Sequence, residues 1–341
     1  MRAMSLHGLT TPGHARAIRL LAPAKLNLVL RVGPAEANGY HPLASWMCTV
    51  GLSDELTVET AGGDSRPPGG NVACPAFSLD PGDDATPEGR PSVASVPGDE
   101  SNLVVRAAME FGRATGVPVG GVRLRLKKRI PAGAGLGGGS SDAAATLLAL
   151  NEALALRLTR SVLAATAAKI GSDVPFFLHA PSAACTGRGE IVSPTPPPTR
   201  ARWALLLLPR RIALATPAVY RRFDQLEPAR SPTDLARAPG DWAQWAELGS
   251  AALLSRLEND LEPAAFSLAP ALGELRDQLE RALQRPVRMS GSGSTLFTLF
   301  DSPGEAEAAV GKVAVPLLDR DVATAVAPLA PDLPRPVVDA A

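Results

Sequence analysis

Cysteine is scarce: Cys48, Cys74 and Cys185 are the only three in 341 residues, far apart and odd in number. They support neither a disulfide framework nor a zinc-ligand spacing, and they fit a reducing, cytoplasmic location. Net charge is lacking too, at a formal zero. That removes the usual electrostatic signature of a nucleic-acid or anionic-membrane partner. No run approaches the ~18 apolar residues of a membrane-spanning helix, and the longest candidate, "WALLLLP" at 203–209, is strand-sized. The opening "MRAMSLHGLTTPGHARAIRL" has no apolar core of a secretory signal, and Met4 offers a second start. Tyrosine is reduced to Tyr40 and Tyr220, and lysine to five residues against 29 arginines. Scarcity makes each of these side chains worth locating.

What is present is the balance of a soluble globular protein, 45% apolar and 20% charged, with length for about two domains. Residues 18–32, "IRLLAPAKLNLVLRV", read as a strand broken at Pro23, and "ELTVET" (55–60) as another. The Gly/Pro/Asp-rich stretch 61–101 reads as a long surface loop, with at most a short hairpin. "NLVVRAAMEFGRATG" has helical spacing, and "VRLRLKK" (122–128) alternates as a half-buried strand. A helix is expected over about 140–157, and a second, "SVLAATAAKI", stops at Gly171. Beyond 200 come a buried strand, a helix opening at "TPAVY", helices near 247–259 and 263–284, a strand–glycine turn–strand in "VRMSGSGSTLFTLF", and a helix in "PGEAEAAVGKVA". The tail "APLAPDLPRPVVDAA" reads as disordered. The expected organisation is α+β: a disordered extension (1–17), a first domain (18–195), a second (200–325) and a disordered tail (326–341).

The densest signal is "IPAGAGLGGGSSDAAATLLALN", with five glycines within residues 133–139. Gly133, Gly135 and Gly138 satisfy G-x-G-x-x-G, but the preceding strand alternates with Arg and Lys instead of being continuously apolar, which argues against a dinucleotide fold. No Gly-Lys-Ser/Thr follows, so a Walker A loop is excluded. What remains is a strand-to-helix turn whose free N–H groups and helix dipole favour an anion. Ser140 and Ser141 stand where they can cap the helix or donate to phosphate and Mg²⁺. Asp142, in the first turn, suits the dipole but repels phosphate, so it is expected to point away from the anion.

This loop resembles the phosphate-binding motif of the GHMP kinases, the superfamily of galactose, homoserine, mevalonate and phosphomevalonate kinases. "APAKLNLVLRV", "NGYHPLASWMCTVGLSDEL", "GSDVPFFL" with "GRGE", "ATPAVY", "NDLE" and "MSGSGSTLF" follow in an order similar to the branch acting on 4-diphosphocytidyl-2-C-methyl-D-erythritol. The resemblance covers about residues 20–315. It implies an N-terminal domain like ribosomal protein S5 domain 2, a ferredoxin-like C-terminal domain and a site between them. It also implies ATP-dependent phosphorylation of that small molecule's 2-hydroxyl in the non-mevalonate isoprenoid route, by a monomer or homodimer.

The resemblance assigns Asp173 as the base accepting the alcohol proton. Lys25 becomes the ammonium that offsets charge at the transfer point, with Asn27 beside it on the same strand face. The expected ATP-binding set is Lys128, Pro131, Gly133, Gly135, Leu136, Gly137, Gly138, Gly139, Ser140 and Ser141. Cytosine falls to Tyr40, His41 and Tyr220, with Thr216 on the substrate and Gly291, Ser292 and Gly293 closing in from the second domain. Mg²⁺ is expected to arrive with ATP, without a protein cage. The rivals are a homoserine- or mevalonate-type kinase, a catalytically silent nucleotide binder and, last, a dinucleotide oxidoreductase.

Overall fold

The computed structural model describes residues 16–60, 74–80, 97–226, 229–318, 320–332 and 336–340. Two sheets organise the chain. The first has seven strands: β1 (Arg16–Val32), β2 (Leu43–Thr60), β3 (Ala76–Asp80), β4 (Val122–Lys127), β5 (Ser182–Gly187), β6 (Ile191–Pro194) and β11 (Val337–Ala340). Its main path runs β11-β1-β2-β4-β3; β5 pairs with β2, and β6 with β5. Strand β2 is long enough to hold β1 along its length, β4 on its second half and β5 on its first.

Helices α1 (Leu103–Thr115), α2 (Gly138–Ala153), α3 (Arg160–Ile170) and α4 (Val174–His179) pack on this sheet. Apolar positions on alternate residues of β4 (Val122, Leu124, Leu126) and on α2 (Ala143, Leu147, Leu150) fill one core. Small residues in the first turns of α2 let it lie close to β1 and β2.

The second sheet contains β7 (Trp203–Pro209), β8 (Arg288–Met289), β9 (Leu296–Phe300) and β10 (Val322–Pro328), in the antiparallel order β10-β7-β9-β8. Numbered within the domain this is 4-1-3-2, the ferredoxin-like arrangement. Between β7 and β8 run α5 (Thr216–Leu226), α6 (Pro232–Trp245), α7 (Ser250–Leu254), α8 (Glu262–Leu268) and α9 (Pro270–Leu283), and α10 (Pro303–Leu317) joins β9 to β10. A separate apolar cluster spans the two sheets. It joins Leu26, Leu28 and Trp46 of the first to Leu206 and Phe297 of the second, with Trp242 contributed by the helix at 232–245. The Trp46 and Trp242 rings stack at 6.4 Å, 11° from parallel. No described helix is long and apolar enough to cross a membrane.

Several expectations change. Pro23 does not break β1: its missing N–H coincides with a register shift at Pro23/Ala24, where the ladder is already interrupted. Helix α2 spans 138–153 instead of 140–157 because glycines start it earlier. The expected 247–259 helix contracts to α7, and the 263–284 helix divides at Ala269, where Pro270 starts α9. The 61–101 stretch contains a strand, β3, added in parallel to the edge of β4 instead of forming a hairpin; residues 61–73 and 81–96 lie outside the described residues.

The tail is a clear correction. Residues 322–328 form β10, and Val337–Ala340 pair antiparallel with Arg16–Arg19, which already belong to β1. A Pro-rich composition hid two short apolar segments that complete open sheet edges. Of the expected N-terminal extension, residues 1–15 lie outside the described part.

Trp242 is fully buried where the two sheets meet. Trp242→Ala is expected to destabilise the protein by roughly 3–5 kcal/mol, read as a lower midpoint in denaturant unfolding.

Candidate active site

The turn from β4 to α2 carries the glycines, and an acid from another strand holds it in shape. Asp54, fully buried on β2, accepts hydrogen bonds from the backbone N–H of Arg129 (2.5 Å) and Ile130 (2.8 Å). Its other oxygen takes the Lys128 ammonium, which also donates to Asp142 Oδ2 at 2.9 Å. Asp142 is thereby held against Lys128, and it still borders the same cavity as the loop, so the expectation that it points away from the anion is not met. Lys128 lines the cavity as expected, but two of its three N–H bonds are committed to carboxylates. Burial opposes its charge, yet Asp142 and Asp54 outweigh burial and raise its pKa. Burial first, opposed by Lys128 and reinforced by Asp54, pushes the Asp142 carboxyl up to about 8.

The loop backbone needs glycine at two contacts. Gly135 has φ +78°, and a Cβ there would lie 2.2 Å from the carbonyl oxygen of Ser290 in the second domain. Gly137 has φ +67°, and its Cβ would press on the Lys25 side chain at 2.9 Å. Gly137, not a serine, occupies the N-cap of α2, so Ser141 is not the cap. Ser141 lies one turn into the helix, buried, its Oγ without a hydrogen-bond partner, and outside the cavity lining. Ser140 does line the cavity.

Lys25 comes from β1. Its backbone N–H donates to Leu136 of the glycine loop at 2.9 Å, and its ammonium donates to Asn27 Oδ1. Asn27 is oriented by Ser45, which accepts from Nδ2 at 2.8 Å and donates to the Val29 carbonyl at 2.7 Å. Asp173 precedes α4 without spending its side chain on a cap, and its Oδ2 lies 3.6 Å from Lys25 Nζ. Lys25 is buried and Asp173 about one-third exposed, so the pair opens to the cavity from one side. An ammonium beside a reachable carboxylate is the equipment for deprotonating an alcohol and stabilising the charge that follows.

At the other end His41 lies under Tyr220, ring centroids 4.9 Å apart, with Phe223 edge-on at 5.9 Å. Asp224 takes the His41 Nε2 at 2.7 Å. Tyr40 is half exposed, and the Arg188 guanidinium lies over its ring at 4.9 Å. Burial, then the charge of Asp173, raises the Tyr220 phenol pKa, so it stays protonated. Thr216 Oγ1 and Ser292 Oγ hydrogen-bond at 2.8 Å. Asn259 donates to the carbonyls of Met289 and Gly291, fixing the second glycine turn where a Gly291 Cβ would lie 3.3 Å from Lys25 Nζ.

All of these ends line one cavity of about 1000 Å³. Of the residues expected at the site, only Ser141 and Gly293 fall outside its lining; a Cβ on Gly293 would instead meet Met289 Sδ at 2.8 Å. The sequence reading missed Asp54, Ser45, Arg188, Asp224 and Asn259. For Asp54 there was a signal, an acid embedded in an apolar strand, and Arg188 lay within the quoted "GRGE" without being assigned a role; for Asp224 there was none.

The family description "GHMP kinases N terminal domain" matches residues 102–180, and "GHMP kinases C terminal" matches 234–315. A relative from Salinispora tropica named 4-diphosphocytidyl-2-C-methyl-D-erythritol kinase is 37% identical over 93% of this chain and 94% of its own. The chain belongs to the GHMP kinase family. A crystal structure of 4-(cytidine 5'-diphospho)-2C-methyl-D-erythritol kinase superposes with a TM-score of 0.64 at 33% identity, covering 92% of this chain and 99% of that one. Homoserine kinase from Cytophaga hutchinsonii superposes with a TM-score of 0.68 over 98% and 100% of the two chains, but at 16% identity, a likeness of fold alone. GHMP kinase architecture thus accounts for both sheets and for a cavity walled by both.

Two outcomes are expected. Folding raises the Asp142 pKa above its unfolded value, so the folded protein holds the extra proton and stability falls as pH rises through that interval. Thermal unfolding between about pH 5 and 8 should show the wild type losing stability relative to Asp142→Asn; parallel curves would contradict the assignment. Gly135→Ala should abolish turnover, whereas Gly133→Ala, whose Cβ meets nothing within 4 Å, should retain it at a backbone cost of roughly 1–2 kcal/mol. Steady-state kinetics on the two variants decides this.

Proposed function

We propose that this chain transfers the γ-phosphoryl group of ATP to the 2-hydroxyl of 4-diphosphocytidyl-2-C-methyl-D-erythritol. The observation that carries the reading is a single cavity with two chemically different ends: Lys25 and Asp173 beside the glycine loop, and the His41–Tyr220 pair with Tyr40 at the other. An aromatic and hydrogen-bonding pocket suits a nucleobase, whereas mevalonate or homoserine would leave it unfilled. The named relatives support the same substrate.

In the reaction Asp173 accepts the hydroxyl proton as the oxygen attacks the γ-phosphorus. The new O–P bond forms while the bond to the bridging oxygen breaks, and ADP leaves. Lys25, held by Asn27 and Ser45, stabilises charge on the entering oxygen and the transferring group. The backbone N–H groups of the glycine loop and the first turn of α2 hold the phosphates. Among the described residues no cluster of His, Cys, Asp or Glu forms a metal cage. Mg²⁺ would arrive with the nucleotide, and the hard oxygens of Ser140 and Asp173, both in the cavity lining, would hold it; when bound it would neutralise phosphate charge.

Asp173→Asn is expected to lower kcat by roughly 10²–10⁴-fold with little change in KM for ATP. ADP release is to be followed with Mg·ATP and, in parallel, the cytidyl substrate, mevalonate and homoserine. Turnover of mevalonate or homoserine alone would overturn the substrate assignment, and full kcat in Asp173→Asn the role of base.

A further inference from the structure

Helix α5 presents Thr216, Tyr220 and Asp224 to the cavity, four residues apart and hence on one stripe. Val219 and Phe223, beside that stripe, are buried, and Phe223 also meets His41 edge-on. Thr216 stands at the Ser292 end, and Asp224 lies ~12 Å further along the axis at 1.5 Å per residue, against His41. Nothing in the phosphoryl-transfer chemistry uses Asp224. Its Oδ1 is occupied by His41 Nε2, while its other oxygen takes no hydrogen bond among the described residues. The carboxylate is about half exposed, and the surface it exposes borders the aromatic end of the cavity.

We infer that Asp224 is a specificity-determining residue: its free carboxylate oxygen accepts the exocyclic amino group of cytosine and thereby rejects uracil. The inference rests on the cytidyl-substrate reading above. An ionised carboxylate can only accept hydrogen bonds. Cytosine offers a 4-amino donor, and pairing of Asp or Glu with that group is a recurrent mode of reading this base. Uracil places an acceptor oxygen at the same position, so two acceptors would face each other with no proton between them, which costs binding. His41 fixes the carboxylate through Oδ1, and Tyr220, on the same helix stripe, supplies a face on which the base stacks. The base is thus gripped by its face and its edge from one helix.

The test measures kcat/KM on the cytidyl substrate and on its uridyl counterpart, for the wild type and for Asp224→Asn. Asparagine keeps the shape but adds an N–H donor. The cytidyl-to-uridyl ratio is expected to fall about tenfold or more in Asp224→Asn, mainly through KM for the nucleotide-linked alcohol. Both substrates are read on the same protein sample, so partial misfolding cancels in the ratio. If Asp224 only orients His41, both substrates lose equally and the ratio stays constant, which overturns the inference. Failure of the wild type to phosphorylate the cytidyl substrate would overturn the proposed function itself, an outcome distinct from an unchanged ratio.

Discussion

One buried ammonium holds the centre of this molecule in register. Lys128 sits between Asp54 on β2 and Asp142 on α2, and Asp54 also accepts the two backbone N–H groups that begin the glycine loop. Strand, loop and helix are fastened at one point. The sequence sets an acid close to the start of a helix whose N-terminus faces the cavity; because α2 starts at Gly138, Asp142 stands past the first turn and is held by Lys128. Of the two carboxylates Asp54 is the costlier to remove, because its loss would also leave the buried N–H groups of Arg129 and Ile130 without their acceptor, whereas loss of Asp142 leaves Lys128 paired with Asp54.

From that anchor the rest of the site follows by contact. The loop carbonyl of Leu136 fixes the backbone of Lys25; Asn27 and Ser45 aim its ammonium; Asp173 meets it from the end of the preceding turn. The far end of the same strand packs on the second domain, where Leu30 and Val32 share a buried cluster with Leu205 and Leu207 and Leu30 bridges Asn259. Lys25 and Asn27 thus stand on β1 and Asp173 at the start of α4, with apolar packing behind them and an opening in front. Rigid strands set positions more accurately than loops do, which suits a reaction in which placement supplies much of the rate.

The sequence carried the local chemistry well and the non-local chemistry poorly. Strongly periodic segments such as 103–115 and 122–127 were legible because their burial pattern repeats within a few residues. The order of motifs made the cavity's principal residues legible too. Ser141 misled because hydroxyls at a helix start look alike whether they stand at the cap or a turn later; the glycine at 137, free to adopt positive φ, took the cap instead. Strands β5, β6 and β11 were missed because short segments gain their structure from a neighbour's open edge, not from their own pattern. Asp224 was invisible for a similar reason: it matters through an imidazole far away in sequence, 183 positions off at His41.

The glycine loop does not belong to the first domain alone. Ser290 Oγ donates to the Gly135 carbonyl at 3.0 Å, and the Thr295 backbone donates to the Ala134 carbonyl at 3.1 Å, both from the turn between β8 and β9 of the second domain. The shape of the phosphate cradle and the docking of the two domains are therefore one thermodynamic quantity. A ligand that prefers the cradle in this shape tightens the seam, and by linkage anything that tightens the seam raises affinity for the ligand by the same factor. Substitutions far from the cavity but along that seam inherit a voice in nucleotide binding without touching a nucleotide.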